Sequence, residues 1–159
     1  ELPAIGEVLE IGRGRMVRQG EGIALLSFGA HLSEALLAAD LLAEDGIRIT
    51  VADARFAKPL DTGLIDRLLG EHGALVTLEQ GAPGGFGAQV LHYLAGSGGL
   101  DHGRLIRTLT LPDRFIEHAS PAEMYAEAGL RAADIAATLR GLCAKLKPVV
   151  VPIARPRLM

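Results

Sequence analysis

The run Ile23-Ala24-Leu25-Leu26-Ser27-Phe28 constrains what this chain can fold into more than any other segment. Six residues with no charge and a single small hydroxyl suit a strand covered on both faces, where the usual apolar and polar alternation disappears. Gly29 releases that strand into a helix reaching about Asp45, with Leu32, Leu36, Ala39 and Ala43 on one side and Glu34, Asp40 and Glu44 mostly elsewhere. Gly46 supplies its stop. The unit then repeats. Residues 47–54, with Ile47, Ile49, Thr50 and Val51, predict a second strand. Asp61 is placed to cap a helix that carries Leu64, Ile65, Leu68 and Leu69 inward. Residues 74–79 predict a third strand, and the glycine-rich residues 81–87 lead into a helix through Val90, Leu91 and Leu94. The last strand is expected over residues 105–111. Ser120-Pro121-Ala122-Glu123 has the cap, the first-turn proline and the returning glutamate of a helix start, and residues 132–146 align Ile135, Leu139, Leu142 and Leu146 in a final helix. Strands alternating with helices in this order make an α/β domain with helices covering a largely parallel sheet.

Residues 7–11 alternate polar and apolar as an edge strand would, and the glycines and basic residues from Gly12 to Gly22 then turn the chain. Residues 1–22 thus read as a linker and edge strand, residues 7–146 as the domain, and residues 147–159, with Pro148, Pro152 and Pro156, as an extended tail. A length of 159 residues, 49% of them hydrophobic, suits one domain with a sizeable core. The net charge is −3 and the 16 basic residues are spread along the chain, which argues against nucleic acid or anionic membrane as partner. No apolar run approaches the roughly 18 residues of a membrane span, and Glu1-Leu2-Pro3-Ala4 is not the start of a signal peptide. The absence of an initiating Met is read as numbering that begins inside a longer gene product, with processing or deliberate trimming of the chain as the alternative. Cys143 is the single cysteine and sits in an apolar helical pattern, which predicts a buried, inert thiol in a reducing cytoplasm.

A self-sufficient enzyme needs a nucleophile with its base, paired carboxylates or a metal-ligand set. The five histidines, His31, His72, His92, His102 and His118, are scattered and form no ligand spacing, so no metal site is expected. Gly85-Phe86-Gly87 carries part of a dinucleotide fingerprint without its third glycine; its plainer reading is close backbone approach at a helix start. Two loops remain, at the carboxyl ends of consecutive strands, where open α/β sheets form their crevice. In residues 53–61, Arg55 and Lys58 can bind an anion or a partner's carboxylate, or Asp53 can pair with Arg55 and leave Lys58 solvated. In residues 79–87, Glu79 is either a buried or interfacial carboxylate or the strand's exit to water, with Gly84, Gly85 and Gly87 beside it. A small anionic or nucleotide ligand at this crevice is the rival reading, in which the chain is a free-standing module.

Five ordered blocks carry a family resemblance across residues 7–142: Ile11-Gly12-Arg13-Gly14-Arg15; Ala24-Leu25-Leu26-Ser27-Phe28-Gly29; Val51-Ala52-Asp53-Ala54-Arg55-Phe56-Ala57-Lys58-Pro59-Leu60-Asp61; Leu75-Val76-Thr77-Leu78-Glu79 with Gly84-Gly85-Phe86-Gly87; and Leu111-Pro112-Asp113-Arg114-Phe115-Ile116-Glu117-His118. Together they resemble the transketolase C-terminal domain family, in its 1-deoxy-D-xylulose-5-phosphate synthase branch more than in transketolase proper or the 2-oxo-acid dehydrogenase E1 subunits. The resemblance implies a three-layer α/β/α domain with a five-stranded, mostly parallel sheet whose first strand is antiparallel. It also implies a parent transferase, a homodimer of the isoprenoid and thiamine precursor pathways, that condenses pyruvate with glyceraldehyde 3-phosphate and releases carbon dioxide. Thiamine diphosphate and Mg²⁺ would be held by preceding N-terminal domains, through a Gly-Asp-Gly motif absent here, so the isolated chain is expected to bind neither and to be inactive. Arg55, Lys58, Glu79, Gly84, Gly85 and Gly87 are then expected as cleft-facing or interdomain contacts. Many relatives have a second acidic residue after the position of Glu79 and a serine after the Gly-x-Gly, where this chain has Gln80 and Ala88.

Overall fold

Gly6 and residues 8–146 are described by a computed structural model of the chain. The apolar run forms β2 (Ile23–Phe28) at the centre of a five-stranded sheet, after a short edge strand β1 (Arg15–Arg18). Helix α1 (Leu32–Glu44) follows a 3-10 turn, Gly29–His31, and leads to β3 (Thr50–Asp53). Then come α2 (Thr62–Glu71), β4 (Ala74–Glu79), α3 (Phe86–Ser97), β5 (Leu105–Leu109), α4 (Pro121–Ala128) and α5 (Ala132–Cys143). The strand order is β1-β3-β2-β4-β5; β1 runs antiparallel to β3 and every other pair is parallel.

From β2 the chain crosses to β3 on one side and then back over β2 to β4 on the other. Right-handed crossovers therefore place α1 on one face and α2 and α3 on the opposite face. The two cores follow that division. Ile23, Leu25, Val51 and Val76 pack with α1 and α5, whereas Ala24, Leu26, Ala52 and Leu75 pack with α2 and α3. The strands β2, β3 and β4 are buried between them, so the three-layer arrangement expected for the family is present. Leu25 is fully buried, and truncating such a leucine to alanine costs about 2–5 kcal/mol.

Three expectations need correction. The edge strand does not lie over residues 7–11: residues 8–10 have no regular structure, Ile11 begins a turn, and Val8 and Ile11 are 96% and 73% exposed. Glu7 lies outside the described residues. The antiparallel strand is Arg15–Arg18, inside the segment expected only to turn. Its side chains carry no apolar alternation, and its pairing is fixed from outside itself, by the register Arg15 to Asp53 and by ion pairs from Arg15 to Asp53 (3.1 Å) and Arg18 to Asp40 (2.8 Å). In α1 the buried face is Ala35, Ala38, Ala39 and Leu42, while Ala43 is exposed. Apolar residues surround this helix, so its own pattern does not choose a phase; packing against α5 does, with small alanines at the contact. Helix α5 ends at Cys143, leaving Leu146 packed against the core beyond the helix. The expected tail, residues 147–159, lies outside the described residues.

The local signals at other helix ends act as read. Asp61 Oδ1 accepts from Leu64 N at 2.9 Å, and Ser120 with Glu123 closes a capping box on α4.

Candidate functional site

The carboxyl ends of β2, β3 and β4 are adjacent, and connections leave them toward opposite faces, which is where an open sheet forms its crevice. Ala54, Phe56 and Leu60 of the first loop and Phe86 at the start of α3 line one narrow cleft above Leu26. Phe86 also stacks on Phe28, with ring centroids 5.1 Å apart. The two loops thus meet through apolar packing.

Their charged groups do not converge. Glu79 is 4% exposed and turns under α3, where its Oε2 accepts from Phe86 N and its Oε1 from Gly87 N, both at 2.8 Å. The glutamate at the end of β4 satisfies two of the four backbone donors that the first turn of a helix leaves free, and its charge opposes the positive end of the helix dipole. Gly85 serves that contact: a Cβ there would stand 2.2 Å from Glu79 Oε2. Gly84 takes a left-handed φ of 104° in the turn before it, and Gly87 backs onto Thr77. The glycine-rich segment is therefore shaped around an internal carboxylate, and the anion position at the α3 N-terminus is filled by this chain's own side chain.

In the other loop, Asp53 is held from two sides. Arg15 Nε donates to its Oδ2 at 3.1 Å, and the Arg55 amide donates to its Oδ1 at 3.1 Å. Arg55 Nε lies 4.0 Å from the same carboxylate, with the side chain 18% exposed. Its backbone φ is 57°, a left-handed conformation uncommon for a residue with a side chain. Lys58 is exposed. Asp61 ties the loop to the lead-in, accepting from Gly14 N at 2.9 Å. A Cβ on Gly14 would stand 2.8 Å from Asp53 O, so only glycine lets the lead-in lie this close. Among the described residues no hydrogen bond or ion pair joins Arg55 or Lys58 to Glu79.

The remaining polar groups are dispersed. His31 is buried; its Nε2 donates to Leu130 O at 3.2 Å and its ring meets Tyr125 edge to face. Burial pushes its pKa down, against the opposing pull of the Leu130 carbonyl and of Glu34. His72 places Nδ1 on Leu68 O (2.8 Å) and Nε2 on Thr50 Oγ1 (2.7 Å), joining α2 to β3. Among the described residues two buried hydroxyls, Ser27 and Thr77, lack partners, but strand alternation sets them on opposite faces of the sheet. Cys143 is half-buried, and burial raises its thiol pKa, which makes the reactive thiolate scarcer.

Sequence reasoning assigned no contact role to a further recess, an open groove of about 800 Å³ between the segment after β5 and α4, with Gln80 hydrogen-bonded to Tyr125 in its wall. Phe115 stands on its rim and is 99% exposed. The signal available was an aromatic residue in a segment with neither strand nor helix periodicity.

Residues 12–135 match the family model described as transketolase, C-terminal domain. The chain belongs to that family. This transketolase C-terminal domain is 64% identical over 135 residues to the 1-deoxy-D-xylulose-5-phosphate synthase of Rhodobacter capsulatus, a match covering 85% of the chain and 21% of the relative. It is 63% identical over 135 residues to 1-deoxy-D-xylulose-5-phosphate synthase 2 of Jannaschia sp. (strain CCS1), again covering 85% and 21%. The chain thus spans about a fifth of the length of the curated relatives it matches. Among solved structures it superposes on a split gene transketolase, described as an inactive beta4 tetramer, with a TM-score of 0.75 and 28% identity, covering 86% of this chain and 44% of that one. A transketolase mutant from Pichia stipitis gives a TM-score of 0.63 at 16% identity over 85% of this chain and 18% of that one, a likeness of fold.

The transketolase relationship makes thiamine diphosphate and Mg²⁺ the groups to test against these residues. The fit is poor. Backbone donors at a helix N-terminus would suit a diphosphate, and at α3 two of them are already given to Glu79. Among the described residues no cluster of three His, Cys, Asp or Glu side chains is placed to hold a metal ion. No helix among them is long and apolar enough to cross a membrane.

Proposed function

We propose that this chain is the C-terminal domain of a thiamine-diphosphate-dependent 1-deoxy-D-xylulose-5-phosphate synthase. The whole protein is a cytoplasmic homodimer that condenses pyruvate with glyceraldehyde 3-phosphate, loses carbon dioxide and feeds isoprenoid and thiamine precursors. The domain stabilises the protein and contributes to its dimer contacts. Thiamine diphosphate and Mg²⁺ are held by the N-terminal domains, which are also its partners; the domain itself binds neither and is inactive alone.

The observation that carries this reading is the 64% identity over 135 residues to a synthase, together with a crevice whose acidic residues are spent internally. Glu79 caps α3 and Asp53 anchors β1, so neither is left to take a proton from a substrate. What the loops offer outward is Lys58, the partly exposed Arg55 and the backbone around Gly84, which suits contact with neighbouring domains. The left-handed backbone at Arg55 supports the same role. Such a conformation costs of order 1–3 kcal/mol and persists where surrounding structure or function holds it.

The test uses the full-length gene product, supplied with pyruvate and glyceraldehyde 3-phosphate and, in parallel, with the sugar phosphates of ketol transfer. Formation of 1-deoxy-D-xylulose 5-phosphate is expected. Ketol transfer without that product would assign the domain to a transketolase instead.

A further inference from the structure

We propose that the groove between the 111–116 segment and α4 is the docking surface for the part of the polypeptide that lies outside this chain, with Phe115 as the apolar anchor. This rests on the reading of the chain as one domain of a synthase. The matched region is 21% of the relatives' length, so roughly four-fifths of such a protein lies elsewhere and must find a surface on this domain.

The groove is built to receive something apolar. Leu111, Pro112, Ile116 and Met124 line it. The one cation on its wall, Arg114, is already matched, because its guanidinium donates to Glu127 Oε1 at 2.6 Å and to Glu127 O at 3.1 Å. Asp113 also lines the groove and has no ion pair among the described residues, so an apolar segment free of acidic groups fits it. On the N-terminal side of the Phe115 ring the segment that carries it is tied to the loop after β4, where Leu111 N donates to Gly81 O, and is turned by the bond from Arg114 N to Pro112 O, both at 2.9 Å. Phe115 is 99% exposed, although a phenylalanine brings about 150–250 Å² of surface to a contact. Exposed aromatics beside an apolar recess mark interaction surfaces, and a few such anchors dominate them. The strand-end loops offer polar contacts to the same domains through Lys58 and Arg55, and this groove supplies the apolar one.

The experiment places p-benzoylphenylalanine at position 115 of the full-length protein, irradiates it and maps the crosslinked peptides. Crosslinks to sequence outside residues 1–159 are expected. Crosslinks confined to residues 1–159 of a second copy, or no crosslink at all, would overturn the proposal. A second measurement compares hydrogen exchange over residues 111–118 in the full-length protein with that in its Phe115→Ser and Phe115→Leu variants. Loss of an anchor of this kind should speed exchange roughly tenfold or more in the serine variant and much less in the leucine variant. Exchange unchanged by Phe115→Ser would count against docking here. Product formation by the same samples is scored separately: crosslinks without synthase activity keep the docking surface and refute the assigned reaction, and the reverse outcome does the opposite.

Discussion

Replacing Glu79 should destabilise the domain far more than replacing an exposed glutamate, because two short hydrogen bonds to the first turn of α3 are at stake. Bonds to charged groups contribute about 1.5–3 kcal/mol each, and a buried donor left unpaired costs about 1–3 kcal/mol. Glu79→Gln keeps the shape and one acceptor but turns an amide NH₂ toward a backbone N–H, so a loss of about 2–4 kcal/mol is expected. Against a total stability of about 5–15 kcal/mol for an ordinary domain, that is a large share. Urea unfolding followed by far-ultraviolet circular dichroism measures it directly. Gly85 supplies a sharper test, since its absent Cβ leaves room for the same carboxylate. Gly85→Ala should be strongly destabilising in the native background and much milder once Glu79→Ala has removed the oxygen it would strike. The pair should therefore be non-additive, with a coupling of about 0.5–3 kcal/mol. Additive losses, or a Glu79→Gln change below about 0.5 kcal/mol, would refute the cap as the reason for this glutamate and these glycines.

Two further outcomes follow from the geometry. His31 is buried with its pKa lowered, chiefly by desolvation, while Glu34 is the acidic group acting on it and Tyr125 packs on its ring. A folded-state pKa below the unfolded one means that protonation favours unfolding; its contribution is intact above about pH 6.5 and is lost as pH falls below that. The stability difference between the native chain and His31→Gln should shrink as pH drops from about 8 to about 5, and parallel curves in chemical unfolding would sink the argument. At Arg55, with φ 57°, a β-branched residue should be penalised and glycine relieved of backbone strain. Arg55→Val should therefore unfold at lower urea than Arg55→Gly by about 1–3 kcal/mol, and equal midpoints would remove strain from the account of this loop.

Strands β2 and β4 were legible because both faces are buried, which writes an uninterrupted apolar run into the sequence. Strand β1 was not, because Arg-Met-Val-Arg has no periodicity of its own; its place is set by pairing with β3, with ion pairs to Asp53 and Asp40 beside it. The phase of α1 was hidden for a related reason: an almost all-round apolar helix buries whichever face its neighbour selects. At the strand ends, residue type picked out Glu79 and the glycines beside it, but the direction of the carboxylate depends on where α3 begins. The groove under Phe115 arises from segments distant in sequence, Gln80, the 111–116 segment and α4, and no local pattern links them.

The proposed function puts the chemistry outside this chain. The direct measurement incubates the purified 159-residue chain with thiamine diphosphate, Mg²⁺, pyruvate and glyceraldehyde 3-phosphate, following carbon dioxide release and, by calorimetry, cofactor binding. No turnover and no specific binding are expected; pyruvate decarboxylation by the chain alone would contradict the proposed function.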